Sequence, residues 1–414
     1  MDFTGHSKDW VVTMLDRSTP HVFDIGWEHC FNLESDVRRI TNHLCHAIRF
    51  LHRVHEVHLY APPGSITGVM TCCPSSAPYL ETIVLISSED EGTDQVTELP
   101  AQIFELHAPH LRTLHIGGLR MQWGRLDACN FQNLRHFEIY HLPESSRPSL
   151  EVVMTILMQL PCLKNLVLCE ALQDSILRNH LTHHFFPCHT TLVLEAPVAH
   201  TVCLLEAVDV SHLKTLKVFA RTFHMQTDST DLARFFSLIR TKVQSTTYCM
   251  MQIYCDEESV HMVGLPKMFL HDEASGDQRI FMLFAEWTRS GFATVDGAVA
   301  ANAFMRLWYH LSSPCVQSLH CQISPYWNDR VAPATWPEIL AWYPAVEHVS
   351  IFGMPPSGLL EALLWRPDSA SSSTILHTPA LPRLSSIHLK SIPSPHVLGE
   401  HLMRPPMPPA AATL

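Results

Sequence analysis

A nine-residue stretch, Ala108-Pro109-His110-Leu111-Arg112-Thr113-Leu114-His115-Ile116, sets the constraint that the rest of the chain must satisfy. Leu114 and Ile116 alternate as a half-buried strand does, and Leu111 closes the turn leading in. The same spacing recurs at Leu80/Ile83/Leu85, Leu134/Phe137/Ile139, Leu163/Leu166/Leu168, Leu213/Leu216/Val218, Val346/Val349/Ile351 and Leu384/Ile387/Leu389. Weaker copies stand at Val54/Val57/Leu59, His189/Leu192/Leu194, Tyr248/Met251/Ile253, Ile280/Leu283/Ala285 and Val316/Leu319/Cys321, which makes twelve, with starts 23 to 38 residues apart. That interval fits one strand plus one return segment and predicts an α/β solenoid with the copies stacked in sequence order. One unit buries three or four apolar side chains at roughly 1.5–3 kcal/mol each. Ordering its backbone costs about 1–2 kcal/mol per residue. A single unit therefore cannot stand alone, and neighbours must stack.

An array also accounts for a chain of 414 residues, which is long for one compact core, and the 46% of apolar residues suffices for a continuous spine. Lys and Arg number 28 against 40 Asp and Glu, a net charge of −12, so neither nucleic acid nor an anionic membrane is the expected partner. The 13 Cys, among them Cys45, Cys129, Cys162, Cys169 and Cys203, are scattered through the apolar pattern as small buried thiols are in a reducing compartment. The start of the sequence lacks the pattern of a signal peptide, and nowhere do 18 apolar residues run together. The expectation is a cytoplasmic or nuclear protein without membrane contact.

Residues 1–53 read as an N-terminal cap: a short helix over 10–15, a strand over 21–25, and a helix over 33–51 with Leu33, Val37, Ile40, Leu44, Ile48 and Leu51 on one face. Residues 54–400 form the array. Helical stripes at 150–160, 231–239, 298–311 and 336–342 each precede a strand, so the side away from the sheet is expected to be mostly helical. Segments 87–98, 272–279 and 368–374 read as loops, the first acidic and the last rich in serine. Residues 401–414 form a Pro-rich tail expected to be disordered.

The spacing Leu-x-x-Leu-x-Leu with a longer return resembles the irregular leucine-rich repeat. More narrowly, Pro78-Tyr79-Leu80-Glu81-Thr82-Ile83, Ala108-Pro109-His110-Leu111-Arg112-Thr113-Leu114, Ser145-Ser146-Arg147-Pro148-Ser149 and Leu160-Pro161-Cys162-Leu163-Lys164-Asn165-Leu166 resemble the repeat region of the fungal F-box protein family, over about residues 8–400. The resemblance implies a horseshoe with a parallel concave sheet and a mostly helical convex side. It implies a non-enzymatic scaffold that selects a protein, in that family a substrate presented to a cullin-type ubiquitin ligase. Two departures stand out. The position that commonly holds a turn-bonding Asn or Cys here holds Leu119, Leu142, Met354, Ile392 or Ala171, which predicts an apolar ladder there. No F-box is found, since Leu99-Pro100-Ala101-Gln102 lies inside the array, so adaptor binding is not carried over. An F-box upstream of Met1 and a free-standing array without a ubiquitin role are the two expectations this leaves.

In such an array the strand residues that point away from the core line one shared face. Partner binding is expected there, at Tyr60, His115, His136, Tyr140, Lys217, Phe219, Tyr254, His320, His348, Phe352 and His388. With 29 His in the chain and six on this face once His58 is included, binding that changes between about pH 5 and 7 is a further expectation.

Motifs for chemistry are sparse. His180, His183, His184, Cys188 and His189 place five metal-ligating types within ten residues, yet they lack the glutamate of a zincin helix and any Cys-x-x-Cys, and a metal-dependent hydrolase ranks third among the expected functions. Cys72-Cys73 reads as a loop thiol pair, and neither a phosphate-binding glycine loop nor a Gly-x-Ser-x-Gly elbow occurs. No cofactor and no catalytic residue are expected.

Overall fold

The computed structural model describes residues 8–28, 34–88, 98–126, 131–173, 190–207, 213–221, 234–241, 248, 250–255, 259–265, 280–286, 308–309, 312–323, 331–355, 357–364 and 381–390. Along the chain these form α1 (Lys8–Arg17), β1 (Phe23–Glu28), α2 (Glu34–Ala47), tight helical turns at Ile48–Arg53, β2 (Val54–Ala61), α3 (Pro63–Met70), β3 (Thr82–Ser87), β4 (Thr113–Gly117) and β5 (His136–Tyr140). There follow α4 (Leu150–Met158), β6 (Asn165–Cys169), β7 (Thr191–Pro197), α5 (Val198–Ala207), β8 (Thr215–Arg221), β9 (Met250–Cys255), β10 (Ser259–Leu265) and β11 (Ile280–Glu286). The last elements are β12 (Ser318–Ile323), α6 (Thr335–Ala341), β13 (His348–Phe352), α7 (Ser357–Leu364) and β14 (Ser386–Lys390). The chain divides into two compact units, residues 1–242 with 276–287, and residues 243–275 with 288–414.

In the first unit β1 to β8 lie side by side in sequence order and every pairing is parallel. The α/β class and the parallel sheet follow from the repeated apolar spacing. Val57, Ile83, Leu114, Phe137, Leu166, Leu192 and Leu216 stand opposite one another from strand to strand and are all at most 1% exposed. The turn residues Leu80, Leu111, Leu134, Leu163 and Leu213 are equally buried beneath them. α2 packs on α3, α3 on β2 and β3, and α5 on β7 and β8. α4 starts where Ser149 Oγ accepts from the Val152 N–H at 3.5 Å, and buries Val153, Met154, Ile156 and Leu157.

Each strand is set in register by the residue before it. The Glu81 carbonyl accepts from both Arg112 and Thr113, Arg112 from Arg135 and His136, Arg135 from Lys164 and Asn165, Lys164 from Thr190 and Thr191, and Thr190 from Lys214 and Thr215. At the other end the chain turns through a left-handed residue, at Gly118 (φ 65°), His141 (φ 46°) and Glu170 (φ 49°). Their N–H groups donate to Tyr140, Cys169 and Glu195 of the next strand at 3.0, 2.8 and 3.0 Å. At Gly118 an added Cβ would lie 2.8 Å from Ser87 Cβ. Gly118→Ala is therefore expected to lower stability by at least about 1–2 kcal/mol, the left-handed cost for an L side chain. A urea midpoint equal to wild type would show that this turn tolerates a side chain.

In the second unit β9, β12, β13 and β14 are parallel neighbours in that order, and β10 pairs antiparallel with β9. Trp308 meets Trp336 and Tyr343 edge-on, with ring centres 6.2 and 6.0 Å apart, and the Tyr343 hydroxyl donates to the Trp308 carbonyl at 3.4 Å. A Cβ on Gly358 of α7 would fall 2.4 Å from Pro333 Cα, so only glycine allows this approach to the turn before α6.

Four expectations need correction. The copies are not stacked wholly in order: β8 takes β11 as its other neighbour, and β10 is an antiparallel strand the repeat pattern did not contain. The copy at Ile280 is out of register by two residues, with Phe281 opposite Leu216 and Leu283 opposite Val218. The helix expected over 33–51 ends at Ala47 and continues as the tight turns at Ile48–Arg53. The apolar ladder holds at Leu119, Leu142 and Ala171, all at most 1% exposed, whereas Met354 is 73% exposed. The 272–279 and 368–374 loops, the 401–414 tail, Ile392 and most of the acidic loop and of the 298–311 helix lie outside the described residues.

Candidate functional site

On the face opposite the core, the residues that alternate with the buried ladder align in three rows across the first unit. The first row is Glu56, Thr82, Thr113, His136, Asn165, Thr191 and Thr215; the second is His58, Val84, His115, Glu138, Val167, Val193 and Lys217. The third is Tyr60, Ile86, Gly117, Tyr140, Cys169, Glu195 and Phe219. Pleating dictates this separation: the same backbone that buries Leu114 and Ile116 must present Thr113, His115 and Gly117 on the other side. In the second unit Tyr254, Gln322 and Phe352 share one row, and Gln252, His320, Ser350 and His388 another.

The expected partner-binding residues thus fall on this face of their respective units, and several converge. The Tyr140 hydroxyl donates to Glu138 Oε2, and His115 Nε2 stands 3.4 Å from Glu138 Oε1. Glu138 and His115 are only 19% and 21% exposed, so this carboxylate is a partly desolvated acceptor shared across two strands. Burial, the hydrogen bond to Glu138 and that carboxylate's charge push the Tyr140 phenol up, while burial and the charges of Glu28 and Glu138 do the same to Tyr60. The Tyr60 hydroxyl is buried without a hydrogen-bond partner among the described residues. Lys217 and Phe219 stand three strands beyond Tyr140, on β8. In the second unit His320 stacks on Phe352 with centres 6.3 Å apart at 26°, and His348 Nδ1 lies 2.8 Å from Ser386 Oγ. His388 is exposed, and the side chain of Tyr254 lies outside the described residues.

His136 joins a second chain of hydrogen bonds. The Asn165 amide donates to His136 Nδ1 at 2.7 Å, and the Thr190 hydroxyl donates to Asn165 Oδ1 at 3.0 Å. A ring nitrogen that accepts carries no proton, so His136 is neutral here. Burial lowers the His136 pKa against the raising charge of Glu138, and Arg135 and Lys164 lower it further. Burial likewise lowers His115, against Glu138, with His136 and His58 adding to the lowering. The sign for stability follows: as pH falls through about 6.5 the unfolded chain takes protons that the folded chain refuses, so stability drops until the folded values are passed. His136→Gln, which keeps an acceptor, is expected to flatten part of that loss between pH 7.5 and 5.5 in urea titrations. An unchanged slope would rule out His136 as a contributor.

One cleft of about 540 Å³ opens at the strand-entry end of the first unit, lined by Val22, Phe23, Asp24, His55, Tyr79, Glu81, His110 and Arg112. His55 stands 3.6 Å from Asp24, 3.7 Å from Glu56 and 3.7 Å from Glu81. The expected partner-binding residues include none of these lining side chains: Val22, Tyr79, Glu81, His110 and Arg112 lie ahead of a strand, and Phe23, Asp24 and His55 fall within the first two residues of β1 and β2, where the alternation has barely begun.

Two thiols beside α3 are held protonated. Burial first, then the neighbouring Cys72 thiol, pushes Cys45 up to about 11, and burial pushes Cys73 up to about 12, so both are protonated thiols at neutral pH. The Cys45 and Cys72 thiols both approach the Gly68 carbonyl, at 3.4 and 3.6 Å. Among the described residues no three His, Cys, Asp or Glu side chains converge as a metal ion would need, and no helix is long and apolar enough to cross a membrane. The His180, His183, His184, Cys188 and His189 cluster lies outside the described residues. The sequence matches no protein-family model and no curated protein.

Proposed function

We propose that this chain is a non-enzymatic protein-recognition scaffold of the irregular leucine-rich-repeat type, whose parallel strands form the inner wall of a horseshoe and select a protein on it. The observation that carries the reading is the run of in-register, non-core side chains across β2 to β8, in which Tyr60, Tyr140 and Phe219 stand among polar groups on one surface. Seven strands at about 4.8 Å make a surface roughly 30 Å wide, and aromatic side chains among hydrogen-bonding ones are what protein interfaces use as anchors. The resemblance to fungal F-box proteins supports a substrate-selecting role in a cullin-type ubiquitin ligase; a free-standing scaffold uses the same face without that assembly.

The test is affinity capture with mass spectrometry from a fungal extract, using the wild-type chain and Val193→Asp, which places a charge mid-face on a half-buried outer position. Proteins recovered by wild type and lost with the variant support the reading; an identical set from both overturns it. A cullin adaptor among the specific proteins supports the ligase role, and specific partners without one support the free-standing scaffold.

A further inference from the structure

The strand-entry end of the first unit carries a row of cations that the core pattern does not require. Because each residue before a strand hands its carbonyl to the next turn, Glu81, Arg112, Arg135, Lys164, Thr190 and Lys214 stand one strand apart in that order. At about 4.8 Å per strand, the four steps from Arg112 to Lys214 cover about 19 Å. Arg112 holds Glu81 at 3.0 Å. Arg135 and Lys164 are exposed, and no carboxylate among the described residues pairs with either.

Directly behind the cations, the first row of that face from β3 to β8 consists of hydrogen-bonding side chains, Thr82, Thr113, His136, Asn165, Thr191 and Thr215, with Glu56 beyond them on β2. The neighbouring carboxylates are already engaged, Glu81 by Arg112 and Glu138 by Tyr140 and His115. In a chain of net charge −12, Arg135 and Lys164 put two adjacent cations beside a hydroxyl and amide row, with Arg112 and Lys214 flanking them.

We propose that this row binds an extended, carboxylate-rich segment of a protein partner, laid across the strand ends from Arg112 to Lys214. The proposal rests on the reading of the outer face as a protein-recognition surface and names the chemistry of what it recognises. About 19 Å accommodates five or six extended residues at roughly 3.3 Å each, which lets carboxylates of the segment meet Arg135 and Lys164 at its middle. First-row hydroxyls then donate to the remaining oxygens. A nucleic acid fits less well, since a polyanion of dense charge meets a short run of cations backed by an acidic chain.

Fluorescence anisotropy with the 414-residue chain tests this, using a labelled Glu/Ser peptide of about twelve residues, its Lys/Ser counterpart and a single-stranded RNA of similar length. Saturable binding of the Glu/Ser peptide alone is expected, weakening at least about tenfold between roughly 50 and 300 mM salt. R135E/K164E should weaken it at least about tenfold, with circular dichroism and the unfolding midpoint unchanged. R125E, at an exposed arginine paired with Glu105 outside the row, should leave it unchanged. No binding of the Glu/Ser peptide, equal binding by the double variant, or tighter binding of RNA overturns the proposal. Failure here with Val193→Asp still abolishing capture sinks the charge inference alone. Peptide binding lost in R135E/K164E, with capture indifferent to Val193→Asp, sinks the broader reading instead.

Discussion

Replacing Phe137 with alanine is expected to lower the stability of the first unit by about 3–5 kcal/mol, the range for an aromatic side chain removed from a close-packed interior. Phe137 is fully buried and stands in the middle of β5, between Leu114 on β4 and Leu166 on β6. Neither neighbour can fill the space, because each is fixed by its own strand pairing and by a buried turn leucine, Leu111 or Leu163. A Tyr79→Ala variant supplies the contrast: this side chain is 55% exposed, so the expected change is within about 0.5 kcal/mol. Urea unfolding separates the two through their midpoints. A Phe137→Ala midpoint within the error of Tyr79→Ala would mean that the ladder does not form a packed interior, and the outer face would lose the rigid backing that recognition needs.

That ladder is the part of the molecule most readable from the residues alone. Parallel neighbours with the same apolar spacing align Leu with Leu, and every non-core residue then follows; this is why Thr113, His136 and Asn165 stand opposite one another. The Ile280 copy shows where that reasoning stops. A slip of two residues keeps the same side chains on the same face, so alternation cannot tell Phe281 from Leu283 as the partner of Leu216. β10 was missed for a different reason: Asp256-Glu257-Glu258 joins it to β9 without the glycine or asparagine that marks a hairpin. The same spacing puts Glu138 on the face opposite the core, but its capture of Tyr140 and His115 depends on side-chain reach, which no periodicity carries.

Arg53 left no such trace, being one basic residue at the end of a helical stripe, yet its removal is expected to cost about 3 kcal/mol. The residue is 9% exposed and every guanidinium nitrogen is used: Nε and Nη2 donate to the His21 carbonyl at 3.3 and 2.8 Å, and Nη2 to Ser18 Oγ at 3.0 Å. Nη1 donates to the Leu15 carbonyl at 3.3 Å and to Thr19 Oγ1 at 3.0 Å. The group also lies 5.5 Å over the Phe23 ring. A fixed cation thus meets the carbonyl end of α1 and the turn into β1, so one side chain fastens the first helix to the first strand pair. Arg53→Ala removes all five of these donations, and the Leu15 carbonyl keeps the Ser18 hydroxyl at 2.8 Å. Arg53→Lys keeps the charge but has three donors on a point, too few to reach Leu15, Ser18, Thr19 and His21 together, and should restore about half of the loss at most. Limited trypsin digestion reads the mechanism separately from the stability: cleavage after Arg17 should accelerate in Arg53→Ala while sites beyond β2 are cut at the wild-type rate. Equal acceleration at all sites would mean that Arg53 supports the whole unit through some other route, and no acceleration at Arg17 would mean that α1 is held without it.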